Sequence, residues 1–357
     1  MKKYNFYAGP AILPQEVLKQ ASEATREFNG IGLSLLEISH RSKEVVAVMD
    51  EARALVYELL NIAEEDFEVL FLTGGASSQF YMAAMNLLDS DATAAYIDTG
   101  SWSTKAIKEA KLFGNIEVVG SSKESNFNHI PKNLDLNKGY AYTHITSNNT
   151  IFGTEYHSLP DTDTPLVADM SSNIFSRPID GNRYGMIYAG AQKNMGPAGV
   201  ALVIIRKDML GKVSREIPTM LDYQTHITKA SSFNTPPVFP IYTSMLTLRW
   251  IKAHGGVQAM EKMNIEKAEL LYNEIDNNPL FYGTAEKEDR SRMNVCFLTT
   301  ATDKEADFLN MCDDAGCVGV KGHRSVGGFR ASIYNAMPIE GVATLVSVMK
   351  AFSEKYG

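Results

Sequence analysis

The chain has 357 residues, enough to bury a large core and to form two or three domains. Its 45% hydrophobic and 21% charged residues are those of a water-soluble globular protein, and its net charge of −8 argues against a general nucleic-acid binder. Cys296, Cys312 and Cys317 form no CxxC pair, and no run of 18 apolar residues or apolar leader occurs. This predicts no disulfide framework, no metal site, no membrane span and a cytoplasmic location.

The first fifteen residues, punctuated by Gly9, Pro10 and Pro14, read as an extended arm. Val17, Leu18, Ala21 and Ala24 recur at helical spacing and predict a helix over 14–28. A loop ending in adjacent His40 and Arg41 leads to a second helix over 43–60. Apolar runs at 69–73, 94–98, 116–119, 140–146, 165–169, 186–190 and 199–206 then predict short buried strands. Strands apolar on both faces imply a mostly parallel, seven-stranded sheet covered by helices, an α/β fold. The last two, joined by a short loop, are the place for one antiparallel strand. Pro218, Pro236, Pro237 and Pro240 mark a loop-rich stretch at 214–243. A long helix is expected from Tyr242, broken at Gly255 and Gly256 and continued to Asn277. From Met293 a smaller α+β unit follows: a strand NVCFLT, a helix at 303–315, a strand CVGV, a strand at 329–334 and a last helix at 339–354. The expected division is a large α/β domain at 16–256 and a small C-terminal α+β domain at 257–357, with the arm 1–15 attached.

Chemistry collects at strand ends, where open α/β sheets bind ligands. The first strand runs into Thr73-Gly74-Gly75-Ala76-Ser77-Ser78 ahead of an apolar helix expected over 79–88. Small residues there suit a phosphate cup or a plain structural turn. They form neither a Walker motif nor G-x-G-x-x-G. The next strand ends in Asp98-Thr99-Gly100-Ser101-Trp102, whose indole could stack on a ring or cap the core. Asp169 finishes a buried strand, a costly place for a carboxylate without a cation or donors. Lys193 lies 24 residues on, in a Gly- and Pro-rich turn between two apolar strands. An isolated loop lysine is normally solvated, but partial burial there would lower its pKa and free the amine for Schiff-base chemistry. Asp169 and Lys193 fall at the same end of the sheet, about one strand–crossover–strand unit apart. A phosphate cup, a stacking ring, a buried carboxylate and a lysine together describe a pyridoxal phosphate site.

With these residues in place, the chain resembles the fold-type I aminotransferases of class V and, among them, the phosphoserine aminotransferase family. The resemblance rests on FYAGPAILP near the start, SHRS at 39–42, DTGSWS at 98–103, AGAQKNMGPAG at 189–199, NTPP at 234–237 and KGHRSVGGFRASIYNA at 321–336. It implies pyridoxal 5′-phosphate as cofactor, Lys193 as the Schiff-base lysine and Asp169 as the partner of the pyridinium nitrogen. It further implies that Trp102 stacks on the ring, that Ala76 and Ser77 offer backbone donors to the phosphate, and that Thr150 and Gln192 contact the ring substituents. Asn234 and Thr235 would reach the phosphate from the neighbouring subunit of a homodimer. Arg330 is implied for the substrate α-carboxylate, and His40, Arg41, His323 and Arg324 for the substrate phosphate or the glutamate side-chain carboxylate. Read singly, such His-Arg pairs are usually solvated.

The implied reaction moves an amino group between glutamate and 3-phosphohydroxypyruvate, giving O-phosphoserine and 2-oxoglutarate. The phosphorylated 4-hydroxythreonine of pyridoxine biosynthesis is a further implied substrate, and neither nucleic acid nor membrane is an expected partner. Two positions depart from the family pattern: Ser77 stands where some members carry arginine, and Ala8 where serine is common. The rivals are a serine–glyoxylate aminotransferase, which does not need doubled His-Arg pairs, and a cysteine desulfurase. The latter needs a nucleophilic cysteine on a mobile loop, whereas Cys312 and Cys317 fall at a helix end and a strand start. A cofactor-binding protein without catalysis is the rival from outside the enzymes.

Overall fold

The computed structural model describes residues 3–357. The arm carries β1 (Tyr4–Asn5) and leads into α1 (Gln15–Arg26) and α2 (Lys43–Leu60). Then come β2 (Phe67–Leu72), α3 (Gly75–Leu87), β3 (Thr93–Asp98), α4 (Ser101–Ala110), β4 (Asn115–Ser121) and β5 (Thr143–Thr146). A small hairpin of β6 (Asn148–Asn149) and β7 (Thr154–Glu155) precedes β8 (Leu166–Asp169), β9 (Tyr184–Gly190) and β10 (Ala201–Arg206). The helices α5 (Tyr223–Thr228), α6 (Val238–Ala253) and α7 (Gly256–Asn277) follow. The chain closes with β11 (Phe281–Gly283), β12 (Asn294–Thr299), α8 (Glu305–Asp314), β13 (Cys317–Val318), β14 (Phe329–Ser332) and α9 (Ile339–Tyr356).

Seven strands form the central sheet in the order β2-β10-β9-β8-β5-β3-β4. Every neighbouring pair is parallel except those of β10, which runs antiparallel to both β2 and β9. The expected antiparallel strand is therefore the last of the series. Alternation on β10 shows why these strands are apolar throughout. Leu202 and Ile204 enter the core beneath α1, α2 and α6, while Val203 and Ile205 enter the core beneath α3 and α4.

A third core gathers Phe281, Phe297, Phe308, Phe329 and Phe352 around the antiparallel sheet β11-β12-β14. The arm joins this core. Its β1 pairs in parallel with β13, Tyr4 opposite Cys317, and Phe6 is fully buried, worth roughly 2–3 kcal/mol in apolar area.

Several expected bounds needed correction, among them the helix expected from Tyr242, which starts at Val238. The helix expected over 79–88 starts four residues earlier, at Gly75, because Gly74 adopts φ +92° and turns the chain directly from β2 into the helix. The strand expected over 140–146 is confined to Thr143–Thr146. The two-residue strands of the β6–β7 hairpin and the short β11 are too brief for periodicity to reveal.

Candidate active site

Lys193 sits in the turn from β9 to β10, and Asp169 ends β8, the parallel neighbour of β9. Its Nζ donates to Thr150 Oγ1 at 2.6 Å and lies 5.5 Å from the centroid of the Trp102 ring. Burial pulls the ammonium down to about 8, against the pull of Asp169 and with help from Arg330. A substantial neutral fraction near neutrality makes this amine a nucleophile. Asp169 is 5% exposed; burial raises its carboxyl pKa, opposed by the Lys193 charge and by Ser171, whose backbone N–H it accepts at 2.9 Å.

Trp102 is the second residue of α4, packed against Phe80 with its Nε1 buried and without a hydrogen-bond partner. Ala76 and Ser77 lie in the first turn of α3 rather than in a loop before it. Their backbone N–H groups are among those that a helix start cannot satisfy internally, so the cup is a helix N-terminus. Gln192 folds back over Gly190, where a Cβ would lie 2.6 Å from Oε1. Its carbonyl accepts from Ala11 N–H at 2.9 Å, which lays the arm across the turn that carries Lys193.

Arg330 projects from β14 of the antiparallel sheet. Its Nη1 donates to Thr150 O at 3.4 Å, and its Nε is buried without a partner. Thr150 thus takes the reactive amine on its hydroxyl and the guanidinium on its carbonyl. His323 belongs to the same cationic group: burial, then Arg330, Arg324 and Lys105 lower its pKa. Arg324 itself is exposed.

Four expected residues are not joined to this cluster. Among the described residues, no hydrogen bond or ion pair links His40, Arg41, Asn234 or Thr235 to Lys193, Trp102 or Arg330. His40 Nε2 is buried and unpartnered, Arg41 is exposed, and Asn234 Nδ2 donates only to Thr235 O at 3.3 Å.

The sequence reading missed the layer behind these groups. Asp98 accepts from Ser103 Oγ and Thr104 Oγ1, both at 2.8 Å, and so anchors the first turn of α4 beneath Trp102. Thr99 Oγ1 donates to Asn149 Oδ1 at 3.2 Å, which ties that turn to the hairpin before Thr150. Lys105, one helical turn after Trp102, holds its Nζ 4.4 Å from the indole centroid. The DTGSWSTK stretch carries all of these except Asn149, but their pairing needs the helix start at Ser101 to be known. Beneath the sheet, His144 stacks on Tyr96 at 4.6 Å and meets Tyr188 Oη at 2.8 Å. Burial drops it to about 3, which keeps it neutral.

Comparison with known proteins identifies the family and the fold. The aminotransferase class-V family model matches residues 3–345. A phosphoserine aminotransferase of Flavobacterium johnsoniae is 57% identical over 355 residues, covering 99% of this chain and all of the relative. The solved phosphoserine aminotransferase of Bacillus circulans subsp. alkalophilus superposes with a TM-score of 0.96 at 45% identity, covering all of this chain and 99% of that one. The pyridoxal-phosphate-bound phosphoserine aminotransferase of Trichomonas vaginalis gives 0.93 at 39% identity, covering 98% of this chain and all of that one.

Proposed function

The chain belongs to the aminotransferase class-V family, and from that premise we propose that it is a phosphoserine transaminase. It moves the amino group between glutamate and 3-phosphohydroxypyruvate, giving O-phosphoserine and 2-oxoglutarate. The observation that carries the reading is Thr150, which brings a lysine with a lowered pKa and a substrate-facing arginine to opposite ends of one residue.

The residues fit pyridoxal 5′-phosphate. Buried Asp169 is costly without a cation to face, and the open first turn of α3 offers unpaired N–H groups to an anion. When bound, the cofactor supplies an aldehyde that captures amines and a ring that accepts the electron pair left at the substrate Cα. Lys193 is the amine for that aldehyde, Asp169 the carboxylate that keeps the ring nitrogen protonated, and Trp102 the stacking plane. Ala76 and Ser77 hold the phosphate through backbone N–H groups, while Thr150 and Gln192 contact the ring substituents.

With its amine free, Lys193 Nζ would take the proton from the substrate Cα as general base. Arg330 fixes the α-carboxylate with its free N–H groups, a fork suited to bidentate pairing. His323 and Arg324, with His40 and Arg41, take the distal anion: phosphate in one half-reaction, carboxylate in the other. Because these two pairs sit on two distant loops, we assign the working unit as a homodimer in which Asn234 and Thr235 complete the neighbour's phosphate cup. Exposed Tyr7, Leu33, Leu36 and Phe233 are apolar surface for such an interface. The cytoplasm suits three free cysteines, and among the described residues no helix is long and apolar enough to cross a membrane.

A desulfurase is disfavoured by the same cysteines. Cys296, Cys312 and Cys317 are at most 4% exposed, and burial raises all three thiol pKa values, whereas a nucleophile needs the thiolate.

The test is the absorbance of the protein loaded with pyridoxal phosphate, before and after O-phosphoserine. The near-visible band of the lysine-attached cofactor is expected to vanish with phosphoserine, to persist with cysteine or unphosphorylated serine, and never to form in Lys193→Ala. A band that persists with phosphoserine yet responds to another amino acid would keep the chemistry and remove this substrate.

A further inference from the structure

Lys267 on α7 is 1% exposed, and among the described residues no carboxylate pairs with it. Its Nζ donates instead to two backbone carbonyls, Ile333 O at 2.9 Å and Tyr334 O at 2.7 Å. Burying an ammonium costs several kcal/mol, and here burial alone pulls it down to about 7. No step of the transamination uses this group, so its retention asks for a reason in what it holds.

The carbonyls belong to the segment that continues β14, three and four residues beyond Arg330. Four further contacts grip that segment. Asn264, one turn before Lys267, donates to Asn335 Oδ1 at 2.8 Å and to Ser176 O at 3.2 Å. Asn335 donates its backbone N–H to Asn194 Oδ1 at 2.9 Å, next to Lys193, and its Nδ2 to Phe175 O at 2.9 Å, in the turn after Asp169. Tyr334 Oη donates to Ala8 O of the arm at 2.8 Å. Residues 333–335 are thus the joint between the strand bearing Arg330 and the turns bearing Lys193 and Asp169. Lys267 is the hydrogen-bond donor inside that joint.

We propose that Lys267 is a positioning residue for the substrate carboxylate, fixing the Ile333 and Tyr334 carbonyls and through them the Arg330 strand against the Lys193 turn. The proposal rests on Arg330 as the carboxylate arginine assigned above. Loss of the Nζ donor leaves Ile333 O without its bond from α7 and Tyr334 O with only Met337 N–H at 2.9 Å, and lets the strand end relax. A shift of about 1 Å at a reacting centre is enough to cost up to ~100-fold.

The experiment compares holoenzyme kinetics, cofactor absorbance and urea unfolding for Lys267→Met, Lys267→Gln, Arg330→Lys and the Lys267→Met/Arg330→Lys double variant. Lys267→Met is expected to keep the lysine-attached cofactor band and to raise KM about tenfold for both glutamate and O-phosphoserine, with kcat within about twofold. In the double variant KM should rise no further than in Arg330→Lys alone, because the two residues act through one contact. Lys267→Gln keeps a donor for one carbonyl, gives an intermediate KM, and carries the test if the methionine variant does not fold. Lower stability with unchanged KM, or additive effects in the double variant, would overturn the proposal and leave Lys267 a packing group. An unchanged KM in Arg330→Lys would instead remove the assignment of Arg330, and this proposal with it.

Discussion

At Lys193, burial disfavours the charge while Asp169 favours it, and burial wins, leaving the amine at about 8 against 10.5 in an unfolded chain. A pKa depressed by folding contributes stability that is complete above the unfolded value and lost as pH falls through the folded one. The cofactor-free protein should therefore gain stability as pH rises from about 8 toward 10.5. Lys267, at about 7, adds a slope of the same sign that begins lower. The buried tyrosines Tyr96, Tyr142 and Tyr188 have raised pKa values and act oppositely once pH passes 10. Urea unfolding between pH 7.5 and 9.5, wild type against Lys193→Met, isolates the lysine. The variant should be the more stable at pH 7.5, with the difference shrinking by about 1–2 kcal/mol across the range. A constant difference would mean that the amine is not desolvated in the folded protein. Lys193 and Asp169 are legible in the sequence because each closes an apolar run, so strand topology alone brings them together. Lys267 is not legible: it occupies one polar position of an amphipathic helix, where solvent is the default. Only the meeting of α7 with residues 333–335 shows that no solvent is there.

Elements decide what those side chains can reach. The phosphate cup depends on α3 starting at Gly75, and that start depends on Gly74. With φ +92° and a would-be Cβ 1.9 Å from Ser78 Oγ, position 74 tolerates no side chain without moving the first turn. No side chain caps this helix, so the N–H groups of the turn stay open to an anion. Gly74→Ala should cost roughly 1–3 kcal/mol in the cofactor-free protein. It should also weaken cofactor binding about tenfold or more, since the donors no longer converge. A fluorescence titration with pyridoxal phosphate reads the second effect; unchanged affinity in the destabilised variant would separate the turn from the phosphate. This start was misread in the sequence for a physical reason. Gly-Gly-Ala-Ser-Ser has the composition of a loop, and one glycine outside the usual backbone region converts it into the first turn of a helix. The sheet was easier to read, because two-faced apolar strands have few alternatives. The hairpin of β6 and β7, which presents Thr150, is two residues per strand and left no pattern to find.

For the whole molecule, the question is which chain completes which site. Within one chain Asn234 lines a cavity of about 160 Å³ together with Thr73, Gly74 and Ser78. It makes no hydrogen bond to the α3 turn there, whereas in the proposed homodimer it reaches the cup of the neighbour. The two arrangements differ in how defects combine. Take Lys193→Ala and Asn234→Ala, each poorly active at a cofactor concentration that saturates the wild type, and co-express them. If Asn234 acts across the interface, a mixed dimer holds one site with both lesions and one with neither. Random pairing makes half of the dimers mixed, so about a quarter of all sites, and about a quarter of wild-type activity, should return. If Asn234 acts within its own chain, every site keeps one lesion and mixing returns nothing. Sedimentation of the same samples shows whether mixed dimers formed, so a null result counts against the shared site only when they did. Recovery near one quarter would make the exposed apolar face around Leu33 and Leu36 part of the active-site architecture: without it the phosphate cup lacks its outer wall, and a monomer would hold the lysine, the carboxylate and the ring yet bind the cofactor weakly.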